Sequence, residues 1–170
     1  MITVLFLTSL STALADEEVG DDFSTSITIS PFLLAEPVLE LTGERKLSER
    51  VSTALIAGGG QSGGVALWEL GCQGRVALLG DFHKALQAGV EVLYIGSVTD
   101  HSGIRAVGTG FAGGPFIGGK WVADVGFTAD LQIGVAGTYI TASASSGSTS
   151  AQQSEADLTP LLNINLGWSF

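Results

Sequence analysis

From Leu162 the chain reads L-N-I-N-L-G-W-S-F, with no break in its alternation. Leu162, Ile164, Leu166, Trp168 and Phe170 fall on one side, and Asn163, Asn165, Gly167 and Ser169 on the other. A two-residue period is the geometry of a β-strand, whose successive side chains point to opposite faces. One face is apolar and the other polar. In water such a strand buries its apolar face in a core; in hydrocarbon it turns that face outward. Alternation leaves both solvents open, so other features have to separate them.

The same period recurs upstream, punctuated by turn residues. Residues 24–34 alternate at Ile27 and Ile29 and are interrupted by Pro31. Residues 37–45 set Leu39 and Leu41 against Glu40, Thr42 and Glu44. K-L-S-E-R, 46–50, reads as a turn before a strand at 51–57. G-G-G-Q-S-G-G, 58–64, reads as irregular because glycine punctuates regular structure. Strands follow at 65–79, 85–98, 104–122, 127–142 and 158–170. Short turns are expected at 80–84 and 123–126, a loop at 99–103, and a Ser-rich loop at 143–157. The expectation is about eight antiparallel strands, of which most reach the roughly 9–11 residues that cross a bilayer. The first hairpin is the weak point, since Pro31 and Pro37 both disfavour a ladder, and Phe32 to Val38 could instead form a helical turn or an inward plug.

Residues 1–15 read as a secretory signal peptide: an apolar core from Ile2 to Leu10, then the small-x-small site Ala13-Leu14-Ala15. They lack the usual basic residue before the core. Residues 16–23 form an acidic tail, and 24–170 the domain proper. Charged residues make up 14% of the chain and there are 24 glycines. Soluble domains carry about 25% charged residues and about 7% glycine. With a net charge of -10 and seven scattered bases, nucleic acid is not an expected partner. No apolar run is long enough for a membrane helix, so a spanning chain has to close as a barrel. Cys72, the single cysteine, lies in an apolar run and reads as a small hydrophobe.

The final strand, with its alternating apolar residues and terminal aromatic-x-Phe, resembles the C-terminal signature of bacterial outer-membrane β-barrels. Residues 31–50 also resemble a first block of small outer-membrane barrel families whose members are mostly uncharacterised. The resemblance implies an all-β, closed, antiparallel up-and-down transmembrane β-barrel of about eight strands in the outer membrane. It further implies that Leu162, Ile164, Leu166, Trp168 and Phe170 form the signal read by the outer-membrane insertion machinery. Outer-membrane lipids would be the other partner, and the chain would be a monomer.

If the apolar parity faces lipid, the opposite parity faces the lumen. It carries Glu40, Glu44, Glu69, Gln73, Arg75, Glu91, Lys120 and Asp130. One reading is a salt-bridged plug, since an eight-stranded interior is just wide enough to fill with side chains. A second is a narrow acidic channel or small-solute site. A third is a lipid-modifying enzyme at the outer rim, and a fourth a soluble, lipocalin-like barrel with an apolar interior. The plug gives a structural or accessory role and is preferred. No catalytic set is recognised. Asp100, His101 and Ser102 have triad residue types, but adjacent residues rarely converge on one point. His83 and His101 lie in different turns, no metal spacing occurs, and no cofactor is expected. Trp121, Trp168 and Phe170 should lie near one rim, and Trp68, Tyr94 and Tyr139 near the other.

Overall fold

The structure, a computed structural model, describes residues 23–31, 38–101, 104–146 and 149–170. The chain is all β. Its strands are β1 (Thr25–Ile29), β2 (Val38–Lys46), β3 (Val51–Ser62), β4 (Val65–Gly80), β5 (Lys84–His101), β6 (Ile104–Val122), β7 (Phe127–Ser146) and β8 (Thr149–Ser169). Each pairs antiparallel with the next, and β1 pairs with β8, closing an up-and-down barrel of eight. The β1–β8 seam is short, Ser26–Ile29 against Leu166–Ser169, and among the described residues the rest of β8 is paired only with β7. The segments expected as signal peptide and most of the acidic tail lie outside the described residues, as do residues 32–37 of the first hairpin.

Several expected loops are strand. The glycine run 58–60 continues β3, pairing with β2 on one side and β4 on the other. Glycine weakens a strand in isolation, but two partner ladders outweigh that cost here. One of these glycines is also needed: a Cβ on Gly58 would collide with the Glu69 carboxylate. The turn itself contracts to Gly63 and Gly64, at φ 57° and 83°. Those left-handed values suit the two-residue hairpin turn that follows strand twist. Residues expected in the loop at 99–103 extend β5 as far as His101. Most of the expected Ser-rich loop is also ladder, with β7 and β8 paired as far as Ser146 and Thr149. Serine and threonine there meet a partner strand at every step, so composition misleads.

Strand length rises from 5 residues in β1 and 9 in β2 to 20 in β7 and 21 in β8. The wall is therefore low on one side and tall on the other. Near the base of β4, a register shift between Ala77 and Leu79 turns Leu78 and Leu79 both outward.

The distribution of polarity is inverted relative to a water-soluble protein. Buried side chains include Ser26, Thr28, Glu40, Thr42, Glu44, Gln73, Arg75, Gln87, Lys120, Asp130, Gln132 and Asn165. Outward side chains include Leu70, Val90, Val92, Ile117, Leu131, Ile133, Val135 and Leu162. Among the described residues the buried apolar side chains include a cluster of Phe116, Ala136 and Leu161, with Ile56 and Phe82 also buried.

Candidate functional site

The interior holds a charged network built by alternation. Inward positions on β2, β4, β6 and β7 carry Glu44, Arg75, Lys120 and Asp130. Arg75 sits between the acids. Its Nη1 donates to Glu44 Oε2 at 3.1 Å and to Asp130 Oδ2 at 2.8 Å. Lys120 Nζ donates to the same Glu44 oxygen at 2.8 Å. Two cations therefore face two carboxylates, a local balance that buried ions require.

Neutral polar side chains complete it. Ser52 Oγ and Ser26 Oγ donate to Glu44 at 2.6 and 3.3 Å. Gln87 and Gln132 donate to Asp130 at 2.9 and 2.8 Å. Arg75 Nε donates to Gln73 Oε1 at 2.7 Å, and the Gln73 amide donates to Glu91 and to Gln132 Oε1. Hydrogen bonds to ions are the strong ones, and networks of this kind rigidify an interior; among the described residues Arg75 Nη2 has no partner.

The turn between β4 and β5 closes the barrel end below this network. Asp81 Oδ1 accepts the backbone N–H groups of His83 and Lys84, at 2.9 and 3.2 Å. Those two donors hold its carboxyl below the usual range. The tight turn tips Phe82 into the mouth, where Lys120 Nζ lies 3.2 Å from its ring centroid. Between Phe82, Glu44, Ser52, Gln87 and Lys120 the space amounts to about 20 Å³, enough for about one water. That space under Phe82 is too small for a solute.

Glu40, Glu69 and Glu91 form a second group. Glu69 lies over Gly58 and adjoins Glu40, together with Asn163. Among the described residues the only base on their side of the Arg75 network is Arg105, which is exposed near the upper end of β6. Glu40 and Glu91 are buried and Glu69 is half-buried. All seven of the charged residues singled out by parity thus point inward, but they divide into a balanced quartet and an unbalanced trio.

Other singled-out residues do not join them. His83 lies in the lower turn, 3.6 Å from Asp81 and stacked near Phe23. His101 ends β5 at the opposite end of the barrel, so the two histidines are far apart. Ser102 lies outside the described residues. Cys72 is on the outward face. Among the described residues no group of three His, Cys, Asp or Glu could hold a metal ion.

Sequence reasoning overlooked Ser52, Gln87, Gln132 and Phe82. The glutamines share parity with Glu91 and Asp130, which was the available signal. Phe82 gave none, because a turn has no period.

On the outer surface Trp68, Tyr94 and Phe111 form a run of ring contacts at 5.2 and 5.0 Å, and Phe111 pairs with Tyr139. A second run, Trp121, Phe127 and Trp168, has contacts at 6.3 and 5.6 Å. Trp168 and Leu166 also hold the β1–β8 seam, opposite Ile27 and Ile29. Leu162 and Ile164 lie further along β8, and Phe170 donates its N–H to Thr25 O at 2.9 Å.

No protein-family model, curated protein or solved structure matches this chain.

Proposed function

We propose that this is an integral protein of a bacterial outer membrane, a monomeric barrel whose lumen is plugged in its lower half by its own side chains. Its role is structural or accessory rather than transport or catalysis. The observation that carries this reading is an outward apolar band bounded by two aromatic belts. Phe111 and Trp121 mark the belts on β6, ten residues apart. At roughly 3.3 Å per residue that is about 33 Å along the strand. A tilt of about 40° leaves roughly 25 Å along the barrel axis, the height of the apolar band expected in such a membrane. Beyond the upper belt the outward face turns polar, with Thr141 and Ser154 bonded across β7 and β8. A barrel folding in water would expose no such band, because large apolar patches drive association.

The leader-like residues 1–15 and the apolar β8 face fit export and insertion by the outer-membrane machinery. Closure of the lower half by Phe82 and the Arg75 network supports a sealed lumen over a conduit.

Refolding of residues 16–170 into lipid vesicles, followed by planar-bilayer recording, tests the proposal. A heat-modifiable, membrane-inserted barrel without discrete openings is expected. Discrete cation-selective openings that change in Glu69→Gln or Glu91→Gln would overturn the sealed lumen.

A further inference from the structure

We infer that the carboxylate trio in the upper half of the interior is a binding site for a primary ammonium ion carrying a short alkyl chain. The inference concerns the barrel's inside. It does not depend on what solvent meets the outside.

Charge is the first observation. Glu40, Glu69 and Glu91 gather in one interior space, while the two interior bases, Arg75 and Lys120, are engaged below by Glu44 and Asp130. Glu91 accepts from the Gln73 amide and feels the Arg75 charge, whereas Glu40 has no such partner of opposite charge, a costly state for a buried carboxylate without a counter-charge.

Unused bonding capacity is the second observation. Asn165 is 0% exposed and Thr42 2%. Among the described residues, neither amide atom of Asn165, nor Thr42 Oγ1, Glu40 Oε1 or Glu69 Oε1, has a hydrogen-bond partner. Thr42 and Glu40 lie on β2 and Asn165 on β8, with β1 between them, while Glu69 lies on β4. Thr42 and Glu40 are successive inward residues of β2. Ser30 bridges to β8: its N–H donates to Glu40 O at 3.3 Å, and its hydroxyl to Asn163 Oδ1 at 3.2 Å. Asn165 is the next inward residue of β8 after Asn163. Buried polar atoms are rarely left unpaired, so a run of them beside uncompensated acids points to a missing donor. Three of the unused atoms are carboxylate or amide oxygens. An ammonium head offers three N–H donors and one positive charge.

The surroundings suit an alkyl tail. Glu69 pairs directly with Ile95, and Leu93 covers Gly71 beside it. Leu67 stands one inward position above Glu69. All three aliphatic side chains are half-buried.

The test uses the full chain folded in detergent, with hexylammonium chloride as probe. The thermal unfolding midpoint is read alongside heat-modifiable mobility, so a failure to bind is separable from a failure to fold. Hexylammonium should raise the midpoint. Hexanol, hexyltrimethylammonium and sodium chloride at equal ionic strength should not, since they lack the charge, the N–H donors or both. Glu69→Gln, at the less buried edge, should weaken the apparent affinity roughly tenfold or more, as loss of an ionic hydrogen bond does. No effect of hexylammonium on the wild type would overturn the inference and leave protons as the trio's counter-charge. So would an equal shift with sodium chloride or hexyltrimethylammonium, or full affinity in Glu69→Gln. The wild-type series needs no variant to fold.

Discussion

Arg75 is the residue on which the interior turns. It is the one cation that bridges Glu44 and Asp130, and its guanidinium also fixes Gln73. Truncating one member of a buried ionic set leaves its partners charged and unpaired, at a cost of about 3–5 kcal/mol. Arg75→Ala should lose stability of that order in urea unfolding from detergent or vesicles. Arg75→Lys should recover only part, because an ammonium cannot span two carboxylates and a glutamine as the planar fork does. Equal stability of wild type and Arg75→Ala would mean that water replaces the guanidinium. Asp81 gives a pH-dependent case. Its carboxyl titrates below the ordinary range, so its contribution is present above that range and fades as acid protonates it. Asp81→Asn should be slightly less stable than wild type at pH 7. The difference should vanish as pH falls well below the usual aspartate value of about 3.9. Alternation put Glu44, Arg75, Lys120 and Asp130 on one parity. It could not say which would pair, since that depends on barrel closure bringing β2, β4, β6 and β7 around one axis.

At the scale of elements, the strands were legible and their ends were not. Val65–Gly80 and Ile104–Val122 follow the apolar period read from sequence almost residue for residue. The misreadings share one cause. Glycine at 58–60 and the Ser-rich stretches 143–146 and 149–157 look like loop when weighed by local preference, yet the glycines pair on both sides and the Ser-rich stretches pair with each other across β7 and β8. Local preference is worth tenths of a kcal/mol per residue and yields to a ladder. The true turn, Gly63–Gly64, needs positive φ at both positions. Gly63→Asn should therefore be tolerated, whereas Gly63→Val should cost about 1–2 kcal/mol, the penalty of a left-handed β-branched residue. Urea midpoints of the two variants check this. Equal midpoints would mean that the hairpin re-forms with another turn. Phe82 lay beyond any such reading, because the turn that tips it into the mouth is set by Asp81 accepting two N–H groups.

The whole molecule is defined by its inversion: polar network inside, aliphatic band outside, aromatic belts at both edges. About eight strands were legible from period and turn count, whereas closure into a barrel was expected only from the outer-membrane resemblance and from the demands of a bilayer on unpaired edges. What meets the outer face is the central claim, and Trp68, Trp121 and Trp168 report on it directly. They are all outward and occupy the two belts. Single-tryptophan variants, refolded into vesicles of lipids brominated at known depths, would give the position of each ring relative to the bilayer centre. Quenching should be strongest with bromines near the interface for all three, with Trp68 in the leaflet opposite Trp121 and Trp168. A chain that stays folded, soluble and monomeric without lipid or detergent, its tryptophans unquenched by any of these lipids, would contradict the membrane assignment.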